Sequence, residues 1–175
     1  MKYKKLISFD FDETLCHTPL PEEGKIIWKE KTGTDWPYIG WWGKSESIDL
    51  EVFDVRVNPW VYEKYLEAKS NPDAYVILAT GRLAKAPKMR ENVEKILNKH
   101  NLSFDEIHLN WGGDTYLFKK NLFEQTIEKV GSDEFIMYDD RTEHLEKFNE
   151  WASEQHVDVI VVDVVKKEEN KYKNI

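Results

Sequence analysis

The length, composition and charge of the chain limit the kinds of protein that it can be. With 175 residues, of which 41% are apolar and 33% are charged, the chain has room for one domain with a sizeable core and a well-solvated surface. The formal net charge of −8 argues against non-specific coating of nucleic acid, because proteins that do this are usually basic.

The first predicted elements are a short buried strand and an irregular insertion. Residues 5–9 form an apolar run that predicts a strand. Residues 17–57 follow it and contain proline, glycine and tryptophan rather than a clear helical pattern. We therefore expect a small lid-like insertion within a single domain that spans residues 1–175. Four of the seven tryptophans fall in this insertion: Trp28, Trp36, Trp41 and Trp42.

Helices and strands alternate regularly after the insertion. Asn58 and Pro59 are typical of a helix start, and Gly131 of a helix end. The predicted order is helix 59–69, strand 75–79, helix 87–99, strand 106–109, helix 119–130, strand 134–138, helix 143–155 and strand 157–162. This alternation predicts the α/β class, with a doubly wound parallel sheet and right-handed crossovers. Residues 166–175 read as a charged tail that frays.

The sequence also gives an expectation about location. No apolar run approaches the roughly 18 residues that a membrane span requires. The apolar patch near the N-terminus is too short for a signal peptide and is interrupted by aspartates. The only cysteine, Cys16, cannot form an internal disulfide, so we expect a reducing, cytoplasmic location and no membrane partner.

Acidic residues follow the first predicted strand and a later one. Asp10 and Asp12 end the first strand, and Asp139 and Asp140 end the strand at 134–138. Because the carboxyl ends of parallel strands share one edge of a sheet, these four carboxylates are expected in one cleft. Their mutual repulsion requires a cation, and Mg²⁺ prefers oxygen ligands of this kind.

The spacing of the first two aspartates indicates phosphoryl transfer. In an extended segment, Asp10 and Asp12 point to the same side, so both can face a substrate. One carboxylate can attack phosphorus and form an aspartyl-phosphate, while the other protonates the leaving oxygen and later activates water. A hydroxyl at Thr80 and a lysine at 119 or 120 would supply further phosphate contacts.

These segments resemble the four ordered motifs of the haloacid dehalogenase-like (HAD) phosphatase superfamily. The motifs are Asp10-Phe11-Asp12-Glu13-Thr14, Thr80-Gly81-Arg82, Lys119 and Tyr138-Asp139-Asp140. The resemblance implies a HAD-like Rossmannoid fold and a phosphoric monoester hydrolase that depends on Mg²⁺. The sequence differs from many members of the superfamily at Glu13, where those members have glycine.

The resemblance also implies the roles of individual residues. Asp10 is the implied nucleophile and Asp12 the general acid/base. Thr80 binds phosphate, and Lys119 stabilises its charge. The implied metal ligands are Asp10, the backbone carbonyl of Asp12, Asp139 and Asp140. Lys119 is preferred to Lys120 because Phe118-Lys119 precedes the apolar face of the helix.

A narrower resemblance points to the substrate. The segments WPYIGWW, ATGR, YLFKKNLFEQTI and YDDRTEH are similar to the HAD domain of Swiss Army Knife RNA repair proteins. Asp139-Asp140-Arg141 is also similar to the phosphatase half of bacteriophage polynucleotide kinases. Both imply a phosphate at the end of a nucleic acid. Candidate contacts to the substrate or its phosphate are Thr14, Gly81, Arg82, Arg141, Trp41 and Trp42.

Other interpretations remain open at the level of the sequence. The protein can instead be a nucleotidase or small-metabolite phosphatase, with the tryptophans as a closed apolar wall. It can also be a non-catalytic binding module that keeps the fold. The tryptophans can form a satellite core, or one of Trp41 and Trp42 can pack inward while the other stacks on a base. His144 and His17 have candidate roles near the site, and Cys16 is interpreted as buried filler.

Overall fold

A six-stranded sheet forms the centre of the computed structural model, which describes residues 2–174. Met1 and Ile175 lie outside the described residues. The strands are β1 (Lys5–Phe9), β2 (Cys16–His17), β3 (Arg56–Val57), β4 (Ala74–Leu83), β5 (Glu106–Asn110), β6 (Glu134–Asp139), β7 (Asp158–Asp163) and β8 (Glu168–Tyr172). The helices are α1 (Pro21–Thr32), α2 (Pro59–Ser70), α3 (Met89–Lys99), α4 (Thr115–Val130) and α5 (Thr142–Ala152), with a short 3₁₀ helix at Ser45–Ile48.

The sheet order β5-β4-β1-β6-β7-β8 confirms the predicted doubly wound α/β architecture. The first five of these strands are parallel, and β1 lies in the middle, between β4 and β6. The direction of winding therefore reverses around β1, and an open crevice forms where the carboxyl ends of these central strands meet.

Both faces of β1 are covered by apolar layers. Leu6 packs in one core cluster, whereas Ile7 and Phe9 pack in the cluster on the other face. This double burial explains why the strand reads as a continuous apolar run without alternation. The same register places Phe9 opposite Leu78 of β4 and Tyr138 of β6, so the residues that follow these strands emerge side by side.

The predicted helices and parallel strands are all present, with shifted ends. Helix α4 begins at Thr115 rather than at residue 119, because the Asp114 carboxylate caps it by accepting from the Tyr116 N–H. Strand β4 runs four residues beyond its predicted end at Ala79, through Thr80, Gly81 and Arg82 to Leu83. Helix α5 ends at Ala152, before the predicted residue 155.

The expectation of no helix within the insertion is wrong. Helix α1 starts at Pro21 and ends at Thr32, followed by the capping residue Gly33, whose φ of 79° lies in the left-handed region that favours glycine. These start and stop signals are visible in the sequence. The helical apolar pattern is weak because Gly24 is the only buried residue of α1.

The expectation of a frayed C-terminal tail is also wrong for residues 168–172. They form β8, which pairs antiparallel with β7, with Val159 opposite Tyr172 at one end and Asp163 opposite Glu168 at the other. The side chains of β8 are mostly charged and exposed, so they carry no strand signal. Backbone hydrogen bonds to the open edge of β7 form this strand, and a sequence pattern does not report such pairing.

Residues 17–57 form a structured insertion with an aromatic core. Strands β2 and β3 pair antiparallel and close its base, with His17 opposite Arg56. Trp28, Trp36, Trp41 and Phe53 pack edge to face or tilted, with ring centroids 4.6 to 6.5 Å apart. Trp41 and Phe53 are the buried members of this cluster, and the Trp41 indole N–H donates to the Pro19 carbonyl at 3.0 Å.

The contact between Gly24 and Trp41 leads to the first prediction. A Cβ at Gly24 would lie 2.2 Å from the Trp41 ring, so Gly24→Ala should overpack the insertion and destabilise it by roughly 1–3 kcal/mol. Gly40→Ala is the matched control because a Cβ there meets nothing within 4 Å. Urea unfolding followed by tryptophan fluorescence measures both changes. Equal stability of the two variants would show that α1 does not depend on this contact.

Candidate active site

A cavity of about 500 Å³ opens at the carboxyl ends of β1 and β4. Helix α4, the loop after β6 and the insertion complete its walls. Most of the residues singled out from the sequence line it: Asp10, Asp12, Trp42, Gly81, Arg82, Lys119, Asp140 and Arg141. Thr14, Thr80 and Asp139 lie behind this lining and are buried.

Lys119 is the central cation of the site. Its Nζ donates to Asp10 Oδ1 and to Asp139 Oδ2, at 2.9 Å each, and the side chain is buried. The neighbouring Lys120 is more exposed and pairs with Glu124 along the helix at 3.7 Å. The structure therefore places Lys119, the lysine that the sequence pattern favoured, at the acids. Helix phase distinguishes it from Lys120, since Lys119 shares the buried face of α4 with Phe123.

Three carboxylates gather around this lysine. Oxygen atoms of Asp10, Asp139 and Asp140 all lie within 4.8 Å of one another. The Thr14 hydroxyl bridges two of them, at 3.0 Å from Asp10 Oδ2 and 3.1 Å from Asp140 Oδ1. Asp139 Oδ1 accepts the backbone N–H groups of Asp140 and Arg141, which orients its carboxylate at the start of α5.

Burial and charge shift the pKa values of these groups in opposite directions. Burial raises the pKa of Asp10 well above its usual range, and repulsion from Asp139 raises it further, against the lowering effect of Lys119. Burial alone would raise the pKa of Asp139, but Lys119 outweighs it and lowers that pKa. Burial alone would lower the pKa of Lys119, but the two aspartates raise it.

The same carboxylates fit a divalent cation. Among residues 2–174 they form the one group of His, Cys, Asp or Glu side chains spaced to hold a metal ion. Their oxygen atoms match the preference of a hard cation such as Mg²⁺. A single lysine faces three acids, and further positive charge would relieve the repulsion that raises the pKa of Asp10.

The Asp12 carboxylate lies outside this acidic group because Arg82 holds it. The guanidinium donates from Nε to Asp12 Oδ2 at 3.0 Å and from Nη2 to Asp12 Oδ1 at 2.7 Å, and the Thr18 hydroxyl donates to Oδ1 at 2.6 Å. Asp10 and Asp12, although only two residues apart, therefore have carboxylates in different surroundings. Only the backbone carbonyl of Asp12, as the family resemblance implies, remains a predicted metal ligand.

Arg82 has a contact set that the sequence did not indicate. Its Nη1 donates to Ser47 Oγ at 2.7 Å and to the Trp42 carbonyl at 3.3 Å, both in the insertion. The side chain is buried and committed to these groups and to Asp12. This arginine ties Asp12 to the insertion, and its contact to a phosphate group stays a prediction. Pairing across 70 residues leaves no local sequence signal.

Thr80 and Gly81 shape the turn between β4 and the cavity. The Thr80 hydroxyl is buried and accepts from the Arg82 N–H at 3.1 Å. A Cβ at Gly81 would lie 2.8 Å from the Thr115 side chain, so glycine is required for α4 to approach β4 this closely. Gly81 thus sets the position of the helix that carries Lys119.

The two adjacent tryptophans have different environments. Trp42 is 42% exposed and lines the cavity, with the Arg82 guanidinium 5.4 Å from its ring centroid. Trp41 is 5% exposed and belongs to the aromatic core of the insertion. Trp41 is not among the residues that line the cavity, and its contact to the substrate stays a prediction.

Four other residues can now be placed. Glu13, which departs from the family pattern, has φ of 56°, a region that favours glycine. His17 Nδ1 lies 3.5 Å from Glu13 Oε2 and is not among the residues that line the cavity. His144 is buried, and burial lowers its pKa, but it does not line the cavity. Burial raises the pKa of the Cys16 thiol to about 12, as expected for a cysteine in the core.

The comparison with protein families identifies the chain. Residues 23–173 match the model described as "HAD domain family 1 in Swiss Army Knife RNA repair proteins". The chain belongs to this HAD family. The matched range includes Thr80, Lys119 and Asp139, whereas Asp10 and Asp12 precede it. Membership supports hydrolysis of the phosphatase type, and the HAD superfamily generally uses a divalent metal.

Solved structures with the same fold are distant in sequence. Two structures of the Pnkp1/Rnl/Hen1 complex, one described as an RNA repair complex, align with this HAD-family chain at 20% identity and a TM-score of 0.54. The alignments cover 99% of this chain but only 44% and 48% of those chains, so it spans less than half of their length.

A third structure is a haloacid dehalogenase-like hydrolase from Streptococcus pneumoniae. It is 14% identical, has a TM-score of 0.51, and is matched over 90% of this chain and 83% of its own. No curated protein sequence matches significantly. None of the helices in residues 2–174 is long and apolar enough to cross a membrane.

Proposed function

We propose that this HAD-family chain is a Mg²⁺-dependent phosphomonoester hydrolase that acts through an aspartyl-phosphate on Asp10. The observation that carries the proposal is the buried cluster in which Lys119 binds both Asp10 and Asp139. This cluster combines a nucleophilic carboxylate with the positive charge that an incoming phosphoryl group requires.

In the first proposed step, a carboxylate oxygen of Asp10 attacks phosphorus. The bond from phosphorus to the ester oxygen breaks, and Asp12 donates a proton to the leaving oxygen. In the second step, Asp12 takes a proton from water, whose oxygen attacks phosphorus. The acyl phosphate bond breaks, inorganic phosphate leaves and the Asp10 carboxylate is restored. Each step needs both carboxylates at the substrate, and the cavity lining includes both.

The separate environments of the two aspartates support this division of roles. Asp10 lies among acids and a lysine, whereas Asp12 is held by Arg82 and Thr18. Asp10, Asp139 and Asp140, with the Asp12 carbonyl, would hold Mg²⁺, which supplies charge neutralisation to the phosphoryl group. Lys119 acts on the same charge from the protein side.

We propose the phosphorylated end of a nucleic acid as the substrate. Membership of a family named for RNA repair proteins supports this class. The exposed face of Trp42 at the cavity offers a surface on which a base or sugar can stack, and Arg141 lies at the same cavity. We propose Arg141 as a contact to the phosphate backbone, because its side chain is 53% exposed.

A nucleotidase is the second candidate. A volume of about 500 Å³ lies within the range of sites for small molecules, so a mononucleotide would also fit. A panel with Mg²⁺ tests both candidates: an aryl phosphate, nucleoside monophosphates, and oligonucleotides phosphorylated at the 5′ or 3′ end. We expect the highest kcat/KM for an oligonucleotide. Preference for a mononucleotide would favour the second candidate, and no release of phosphate from any substrate would indicate a binding module.

Removal of the metal gives a further prediction. With excess EDTA we expect hydrolysis of the aryl phosphate to fall to background, because three acids would repel the incoming phosphate. Addition of Mg²⁺ in excess of the chelator should restore the rate. Parallel measurement of the melting temperature serves as the control for unfolding. Undiminished turnover by the folded, metal-free protein would contradict the proposed metal dependence.

A further inference from the structure

A second cavity lies beside α4, and the exposed ring of Trp111 lines it. It has a volume of about 500 Å³, and its lining includes His108, Trp111, Leu117, Phe118, Asn121 and Gln125. We propose that this groove, the Trp111 groove, binds the base of the nucleotide next to the phosphorylated end. The inference rests on the proposed nucleic acid substrate and extends it by one nucleotide.

The exposure of Trp111 requires an explanation. Its side chain is 70% exposed, whereas Trp41 and Trp151 are 5% and 3% exposed. Leu117, in the same groove, is 52% exposed. An aromatic ring of this size contributes a large hydrophobic gain when it is covered, so a folded protein usually buries it. Two large apolar side chains left in solvent at one groove indicate a ligand that covers them.

The loop that carries Trp111 is fixed rather than free. Asn110 is buried, its Nδ2 donates to the Gly113 carbonyl at 3.0 Å, and its Oδ1 accepts the Gly112 N–H at 3.0 Å. Gly112 and Gly113 have φ values of 142° and 83°, which suit glycine. Asp114 then caps α4. The backbone around Trp111 is therefore held in place. Stacking of a ring on Trp111 then loses less conformational entropy than it would on a mobile loop.

The chemistry of the groove selects a neutral ring with polar edges. No lysine or arginine lines it, so it does not attract a phosphate group. Its ionisable side chains are Asp114 and His108, and His108 is already hydrogen-bonded to Glu106 at 2.6 Å. The exposed amides of Asn121 and Gln125 supply both donors and acceptors. A nucleobase combines a stacking face with such an edge.

Helix α4 connects the groove to the candidate active site. Thr115 and Lys119 line the cavity that contains Asp10, while Leu117 and Phe118 line the Trp111 groove. The two cavities thus share the first turns of one helix. A strand that crosses these turns would place its terminal phosphate at Asp10 and its next base on Trp111.

Trp111→Ala tests the inference with substrates of increasing length. The substrates are an aryl phosphate and oligonucleotides of one, two and four nucleotides, phosphorylated at the end that the enzyme prefers. In the unchanged protein we expect a lower KM for the two-nucleotide substrate than for the one-nucleotide substrate. Trp111→Ala should raise KM for substrates of two or more nucleotides by about 5- to 100-fold. It should leave kcat, and KM for the aryl phosphate, unchanged.

Two control variants make this test specific. Trp111→Phe keeps a stacking ring and should retain most of the affinity. Val165→Ala removes an apolar side chain that is also 70% exposed, beyond β7, and should change no KM. Equal KM values for Trp111→Ala and the unchanged protein on the two-nucleotide substrate would overturn the inference while leaving the phosphatase proposal intact. Self-association that Trp111→Ala abolishes, with unchanged KM, would overturn it in favour of a protein interface.

A binding measurement separates failure of this inference from failure of the proposed function. Fluorescence polarisation with a labelled, unphosphorylated tetranucleotide needs no turnover. If the protein hydrolyses none of the phosphate esters, the phosphatase proposal fails, but weaker binding by Trp111→Ala would still support the groove. No binding by the unchanged protein, or equal binding by Trp111→Ala, would overturn it.

Discussion

Asp10→Asn is expected to lower the rate of phosphate release by roughly 10⁴-fold or more, because it removes the nucleophile that forms the acyl phosphate. The fold should persist. Asn has nearly the same shape as Asp, and its side-chain oxygen can still accept from Lys119 Nζ. Lys119 keeps Asp139 as a partner at 2.9 Å. Steady-state kinetics on an aryl phosphate and thermal unfolding measure the two effects.

Glu13→Gln is the matched control for this prediction. It is also an acid-to-amide change in the cavity lining, within the same short segment. It should retain most of the activity because Glu13 has no proposed part in the reaction. Rapid quenching of the unchanged protein should in addition trap an acid-stable or borohydride-reducible acyl phosphate on Asp10. Wild-type turnover by a folded Asp10→Asn variant would refute the mechanism.

Lys119→Met is expected to produce the largest loss of stability, of about 3–5 kcal/mol. Lys119 is buried and donates to both Asp10 and Asp139, so its removal leaves two buried carboxylates without this cation. Methionine matches the length of the aliphatic stem and avoids a large cavity. Urea unfolding should show the loss. Added Mg²⁺ should return part of it, because a cation among the acids replaces the missing positive charge.

Lys120→Met provides the comparison for Lys119→Met on the same helix. Lys120 is partly exposed and pairs only with Glu124 at 3.7 Å, so we expect a change of about 0.3–0.5 kcal/mol. The two variants remove the same charge and add the same side chain. A similar loss of stability in both would mean that the buried ion pairs around Lys119 do not stabilise the fold.

Arg82 links the candidate site to the insertion. The arginine binds the Asp12 carboxylate with two nitrogen atoms and Ser47 with a third. The insertion therefore determines the position of the proposed general acid as well as covering the cavity. The contact between Gly24 and Trp41 stabilises the same insertion, so overpacking there should also disturb the position of Asp12.

Several properties were determined by the sequence itself. The apolar runs that end at Phe9 and Tyr138 became neighbouring parallel strands, and Asp10 and Asp140, which follow them, line the cavity. The position of these acids follows from chain direction alone, because parallel strands bring their carboxyl ends to one edge. Strong local signals, such as Asn58 before Pro59, also gave the start of α2 correctly.

Other properties were decided only by the tertiary structure, because they depend on contacts between residues far apart in the chain. The ion pairs of Lys119 with Asp10 and Asp139 depend on how α4 packs on the sheet. The pairing of Arg82 with Asp12, the burial of Trp41 beneath α1 and the addition of β8 to the edge of β7 depend on partners that no local pattern specifies. Burial and backbone pairing across the fold supply the energy for these arrangements, and neither is encoded in the identity of a residue and its immediate neighbours.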